Sequence, residues 1–169
     1  MITPEYCALL ARYNRWQNRS LVAAASTLTP AARTQARGAF FGSIAGTLSH
    51  LLWGDLVWMA RFDGGTRPEA TADDSATAFP DWDAYRRERA ATDARILLWA
   101  ERIGAEELAG ELFWHSRLTG RTQRQPMAVC VVHFFNHQTH HRGQAHAMLT
   151  AAGARPEPTD LVFMPADPV

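Results

Sequence analysis

The feature that most constrains this chain is a run of histidines embedded in an apolar segment near its carboxyl end. Four of the seven histidines lie within nine residues: His133, His137, His140 and His141. Valine and phenylalanine residues are interspersed among them, so the segment is expected to pack in a core rather than to form a flexible metal-binding tract. It predicts a helix from about residue 126 to residue 152. Residues four apart share one face of a helix, so His137 and His141 lie one turn apart and can bind one metal ion.

A third metal ligand would have to come from another part of the chain, and His50 is the obvious candidate. It lies in a second apolar segment that is predicted to be helical, and three protein ligands with an open position are typical of catalytic zinc. The alternative is a hydrogen-bonded core histidine, which is less favoured beside a second helix carrying a His-x-x-x-His pair. Spacing alone leaves the register open. His133 and His137 are also four apart, and His140 lies at the edge of the same stripe.

Other polar residues have structural interpretations. His115 and His146 are expected to lie outside the site. Gln138 stands where the His-Glu-x-x-His zinc proteases carry their glutamate, which argues against peptidase chemistry by that route. Asp55 turns about 140° away from the histidine of the second helix. We expect its carboxylate to bind Arg142 or a neighbouring helix.

Two further residues of the last helix carry expectations. Gln144 lies on nearly the same face as His137, about two turns further on, and is predicted to contact a metal ligand or the substrate. Gly143 in the middle of a helix is about 1 kcal/mol less favourable than alanine. A close approach of a neighbouring helix at Gly143 is therefore expected.

Turn signals divide the chain into four long helices. The predicted helices span residues 4–27, 43–62, 81–103 and 126–152. Alternating apolar and polar residues between 110 and 126 predict a short hairpin, and a proline-rich tail follows over 155–169. Together they predict an all-α fold, a four-helix bundle with a short β-hairpin between helices 3 and 4, in a single domain over residues 1–169. Facing helices of such bundles build metal sites from inward side chains.

The composition excludes several classes of function. Lysine and arginine total 17, as do aspartate and glutamate, so no broad positive surface for nucleic acid or an anionic membrane is expected. The uncharged stretch 38–54 is shorter than the about 20 apolar residues that span a bilayer. Cys7 and Cys130 lie among apolar residues and are expected to be reduced. No export signal is visible, so a cytoplasmic location is expected.

Several segments together resemble the DinB family of small helical-bundle proteins, which are relatives of the YfiT-like metal-dependent hydrolases. The matching residues are 13–18, 50–55, 135–144 and, in the tail, 158–161. Among these, the pattern Asn-His-x-x-His-His-Arg-Gly-Gln is the specific one. The resemblance implies a commonly dimeric bundle with a metal bound by His50, His137 and His141, and so favours the later histidine pair. It assigns no catalytic residue.

The leading functional hypothesis is a metalloenzyme of the hydrolase or thiol-transferase type. Some relatives are thiol-dependent enzymes, so the expected substrate is a small molecule, possibly a thiol or its conjugate. The cofactor would be one divalent ion per chain, zinc or nickel, with an open coordination position. A homodimer is expected. The alternative is a non-catalytic interaction protein whose structural metal is closed by His133 or His140.

Overall fold

The computed structural model describes residues 1–116 and 119–166, and over these residues it consists of helices and one β-hairpin. The elements in chain order are α1 (Pro4–Ser26), α2 (Pro30–Thr34), α3 (Ile44–Phe62), α4 (Trp82–Ala100), α5 (Ala105–Ala109), β1 (Glu111–Ser116), β2 (Arg121–Pro126) and α6 (Met127–Ala151). The two strands are antiparallel, with Glu111 opposite Pro126. Two short 3₁₀ turns, Ser75–Thr77 and Leu161–Phe163, lie in the loop after α3 and in the tail.

The predicted fold class is confirmed: the protein is mainly helical, and its hairpin lies between the third and fourth long helices. The four long helices begin and end within three residues of their predicted limits. The helix count differs, since the described residues form six helices rather than four. α2 and α5 have only five residues each, which is too short to produce a helical pattern of apolar residues.

Capping side chains fix where α1 and α3 begin. The Thr3 hydroxyl accepts a hydrogen bond from the Tyr6 amide at 3.3 Å, with Pro4 at the first helical position. The Ser43 hydroxyl accepts one from the Gly46 amide at 3.0 Å and so begins α3. These contacts satisfy amides that have no partner within the helix.

The four long helices pack against one another, with α3 on α6, α1 on α4, α1 on α6 and α3 on α4. Their buried apolar residues form two clusters. The cluster next to the hairpin contains Met59, Ile96 and Phe134, and the other contains Leu52 and Leu149. Because each long helix contributes to both clusters, the bundle has two apolar layers with a gap between them.

Buried polar side chains fill that gap. We refer to them as the polar layer: Asn14, Asn18, Asp55, Arg89, Asp93, Gln138 and Arg142. Arg89 pairs with Asp55 at 2.7 Å and with Asp93 at 2.9 Å. Asn18 donates to Asp93 at 2.8 Å, and Gln138 donates to Asp55 at 3.0 Å. The polar layer therefore links all four long helices at one level of the fold.

The described part of the tail runs along α1; residues 167–169 lie outside the described residues. The Tyr13 hydroxyl donates to the Thr159 carbonyl at 2.6 Å, and the Gln17 amide donates to the Pro158 carbonyl at 3.0 Å. Within the described ranges, no helix is both long and apolar enough to cross a membrane.

Candidate metal centre

Three histidines from two helices converge at one point. His50 comes from α3, and His137 and His141 come from successive turns of α6. Each offers one ring nitrogen to a group whose atoms all lie within 4.8 Å of one another. His50 Nε2 and His137 Nε2 are 3.2 Å apart. Two nitrogens bound tetrahedrally to one zinc at 2.0–2.1 Å would lie about 3.3 Å apart, so this pair fits a shared divalent ion.

Ser75 fixes the ring of His50. The Ser75 hydroxyl donates to the Ala72 carbonyl at 2.6 Å, which uses its only proton. Its oxygen lies 2.9 Å from His50 Nδ1 and must therefore accept from that nitrogen. With its proton on Nδ1, His50 presents the lone pair of Nε2 to the other two histidines, which is the form that binds a metal.

The two histidines on α6 are positioned in different ways. His141 Nδ1 lies 2.8 Å from Gln144 Oε1 and donates to it, so its Nε2 is also left as a lone pair. Gln144 thus contacts one of the three candidate ligands. His137 Nδ1 is buried and has no hydrogen-bond partner among the described residues, and its ring lies against the backbone of α3 at Gly54. A Cβ added to Gly54 would be 2.8 Å from His137 Cε1. Gly54 therefore makes room for the ring.

Burial keeps the three imidazoles neutral. It is the main cause that lowers the pKa of His50 to about 4 and that of His137 to about 3, and repulsion among the rings adds to it. Burial also lowers the pKa of His141, although the hydrogen bond to Gln144 opposes this. Metal ligands must be unprotonated, so the site has the charge state that a divalent ion needs at neutral pH.

An aromatic side chain covers one side of the group. The Phe41 ring stacks on His50, with 3.7 Å between ring centroids, and its edge meets His141 at 5.4 Å. Phe41 lies in a tight turn closed by Gly42, whose φ of 75° favours glycine. The three imidazoles therefore lie in a partly apolar setting, which strengthens electrostatic interactions with a bound ion.

Comparisons with known proteins identify the family of this chain. The sequence matches the DinB family over residues 1–167. The chain belongs to the DinB family. The DinB protein of Bacillus subtilis strain 168 is 27% identical over 162 residues, which cover 92% of this chain and 91% of that protein. A crystal structure of a DinB-like protein from Bacillus cereus ATCC 10987 superposes with a TM-score of 0.54 at 18% identity, covering 85% of this chain and 90% of that one. This second likeness supports the DinB fold alone.

The remaining histidines lie outside the group of three. Among the described residues, neither these histidines nor any cysteine or carboxylate joins it. His140 is exposed, and its ring centroid lies 4.8 Å from that of His141. The ring centroid of His133 lies 5.9 Å from that of His137. His115 is exposed on β1. The three positions that the DinB resemblance selected are thus the three that converge.

Two further expectations have different outcomes. Asp55 pairs with Arg89 of α4 and not with Arg142, so the expectation of a neighbouring helix is confirmed. The expectation of a close approach at Gly143 is wrong, because a Cβ there would meet no atom of the described residues within 4 Å. The glycine that permits a close approach is instead Gly54 on α3.

Sequence reasoning missed three contributors to the centre: Phe41, Gly54 and Ser75. Ser75 lies in a loop, where no periodic pattern links it to a helix 25 residues earlier. Phe41 also lies outside the long helices. For Gly54 a signal was available, because a glycine one turn after His50 in an apolar helix suggests a close approach.

Proposed function

We propose that this DinB-family protein is a metal-dependent enzyme of the hydrolase or thiol-transferase type. It would hold one divalent ion per chain, zinc or nickel, on His50, His137 and His141. The observation that carries the proposal is the convergence of three neutral imidazoles, two of them with Nδ1 engaged by Ser75 and Gln144. With three protein ligands, a coordination position remains for water or substrate.

A divalent ion in such a site would act as a Lewis acid toward a bound substrate or nucleophile. The surrounding residues supply orientation and control of water. Ser75 and Gln144 hold two imidazoles in their metal-binding form, and Phe41 covers the face of His50. Three neutral ligands leave the charge of the ion uncompensated, so the open position favours an anionic group such as a thiolate or carboxylate.

Cobalt substitution tests this proposal directly. The visible spectrum of the cobalt form should change on addition of a thiol such as cysteine or of a small carboxylate such as acetate. Metal-dependent turnover can then be sought with 4-nitrophenyl acetate, and with cysteine plus 1-chloro-2,4-dinitrobenzene. His137→Ala should abolish any rate that depends on metal, and His115→Ala should leave it unchanged.

A visible spectrum of the cobalt form that does not change with any added ligand would contradict the proposal. Together with four protein donors measured by metal-edge spectroscopy, it would establish the alternative of a structural metal in a non-catalytic interaction protein.

We further propose that the protein is a homodimer. The support is the habit of the family together with exposed large apolar side chains, which include Leu98, Phe113 and Val129. Sedimentation at micromolar concentration should give twice the 18.8 kDa of one chain. A monomer throughout that range would contradict the proposal.

A further inference from the structure

A cavity of about 560 Å³ lies between α3, the loop that follows it and β1. Its lining includes Trp53, Val57 and Arg61 from α3, and Trp114 from β1. Trp53, Val57 and Arg61 lie three, seven and eleven residues after His50, so they continue along the helix face that carries the metal ligand. The volume is in the range of small-molecule binding sites, about 300–1,000 Å³.

The cavity borders the metal centre by two routes. Trp53 lines the cavity, and its ring centroid lies 5.7 Å from that of His50. Ala72 also lines it, and its carbonyl accepts the hydrogen bond of Ser75, the residue that orients His50. A molecule in the cavity would therefore be about one side chain away from His50.

The wall of the cavity carries the cation of Arg61, which lies against aromatic rings. The Arg61 guanidinium carbon lies 4.3 Å from the centre of the Trp58 ring and 5.0 Å from that of Trp114. Over residues 1–116 and 119–166, its buried Nε has no hydrogen-bond partner, and no carboxylate lies within ion-pair distance of Arg61. Asp73 also lines the cavity but is exposed.

This arrangement leaves a positive charge partly withdrawn from water. Burial, and then the positive charge of Arg67, lower the pKa of Arg61 to about 10, so the side chain still carries its charge at neutral pH. Contacts with two indole rings offset part of the loss of hydration. They do not use the guanidinium donors, whose planar fork matches the two oxygens of a carboxylate or phosphate.

We propose that this cavity binds a small organic oxoanion, with the charged group on Arg61 and an apolar or aromatic portion against Trp53 and Trp114. This proposal rests on the proposed function, because it takes the oxoanion to be the substrate of the metal centre. Binding of the anion at Arg61 itself needs no metal.

The experiment compares a carboxylate with its neutral counterpart. The probes are 4-fluorophenylacetate and 4-fluorophenylacetamide, titrated against the full chain and followed by fluorine NMR in zinc-loaded and metal-free protein. The anion should bind at least tenfold more tightly than the amide in both forms. Arg61→Gln should lower the affinity for the anion at least tenfold and leave the amide unchanged. Arg87→Gln, which removes an exposed arginine of α4, should change neither.

A second variant guards against loss of folding in Arg61→Gln. Thr71 is an exposed residue of the cavity wall. Thr71→Glu places a competing carboxylate there and keeps Arg61, so affinity for the anion should fall several-fold. Benzylphosphonate in the same assay shows which oxoanion is preferred, and tighter binding of either over the amide supports the proposal.

The outcomes separate the two proposals. Equal affinity for anion and amide would overturn the role of Arg61. Binding that requires zinc and survives Arg61→Gln would overturn it as well, because the carboxylate would then be on the metal. If no metal-dependent turnover is found but Arg61→Gln still loses anion binding, the proposed anion site is supported and the proposed enzymatic function is contradicted.

Discussion

The polar layer and the three-histidine group both draw residues from α3 and α6, but they differ in charge. In the polar layer, Arg89 lies between Asp55 and Asp93, and burial opposes its charge, but the two carboxylates outweigh burial and raise its pKa. The metal centre gathers three neutral bases whose lone pairs face one another. The first cluster balances its charges within the chain, whereas the second, by our proposal, requires a cation from outside. Polar burial therefore stabilises the fold at one site and creates binding capacity at the other.

The largest effect is expected from removing Arg89 from the polar layer. Arg89→Met deprives Asp55 and Asp93 of the cation that they share, and we expect the free energy of unfolding to fall by about 3–5 kcal/mol. Urea denaturation measures this, with the exposed Arg87→Met on the same helix as the control. A loss below about 1 kcal/mol would mean that the polar layer is not held by internal charge balance.

Removing a ligand should affect metal binding far more than folding. His50→Ala, His137→Ala and His141→Ala should each lower zinc affinity by at least about a hundredfold, or about 2.7 kcal/mol. The metal-free variants should unfold close to the parent protein, because neutral imidazoles leave no unpaired charge. His115→Ala and His146→Ala serve as controls in equilibrium dialysis with elemental analysis. Full zinc occupancy in His50→Ala would show that His50 is not a ligand.

The hydrogen bond behind His50 should have a smaller effect. Ser75→Ala removes the acceptor that holds the His50 proton on Nδ1, so zinc affinity should fall by about 10- to 100-fold. Thr77→Ala is the matched control, because the Thr77 hydroxyl lies in the same turn but donates to the Asp74 carbonyl. Equal affinities for the two variants would show that Ser75 does not orient the ligand.

The smallest effect compares two glycines in helices. Gly54→Ala brings a methyl group against His137, so zinc affinity should fall several-fold even though alanine favours a helix. Gly143→Ala meets nothing and should raise the free energy of unfolding by up to about 1 kcal/mol without changing affinity. Thermal melts and zinc titrations of both variants provide the measurement. Equal zinc affinities for the two variants would show that Gly54 is not needed to make room for the His137 ring.

Sequence reasoning predicted the features that follow from helical periodicity. The four long helices were predictable because apolar spacing and turn residues agree along each segment. Periodicity placed His137 and His141 on one face but equally allowed His133 with His137, and the family resemblance favoured the later pair. His50 was proposed as the third residue from its position in a second apolar helix.

What the sequence could not supply depends on tertiary contacts. Asp55 and Arg89 are 34 residues apart, and no local pattern pairs them. The same is true of Ser75 and His50, which meet only because the loop after α3 returns to its helix. Local sequence suggests a close approach at both Gly54 and Gly143, and only the tertiary contacts show that it occurs at Gly54.

The Ser75 contact has one more consequence. The same residue that orients His50 also receives, at its backbone carbonyl, a hydrogen bond from the Ser49 hydroxyl at 2.7 Å. Ser49 in turn accepts from the Phe79 amide at 3.2 Å. These hydrogen bonds connect the His50 ring to the backbone of the loop after α3. If the three histidines bind an ion as proposed, amide hydrogen exchange in that loop should differ between the metal-free and the metal-bound protein.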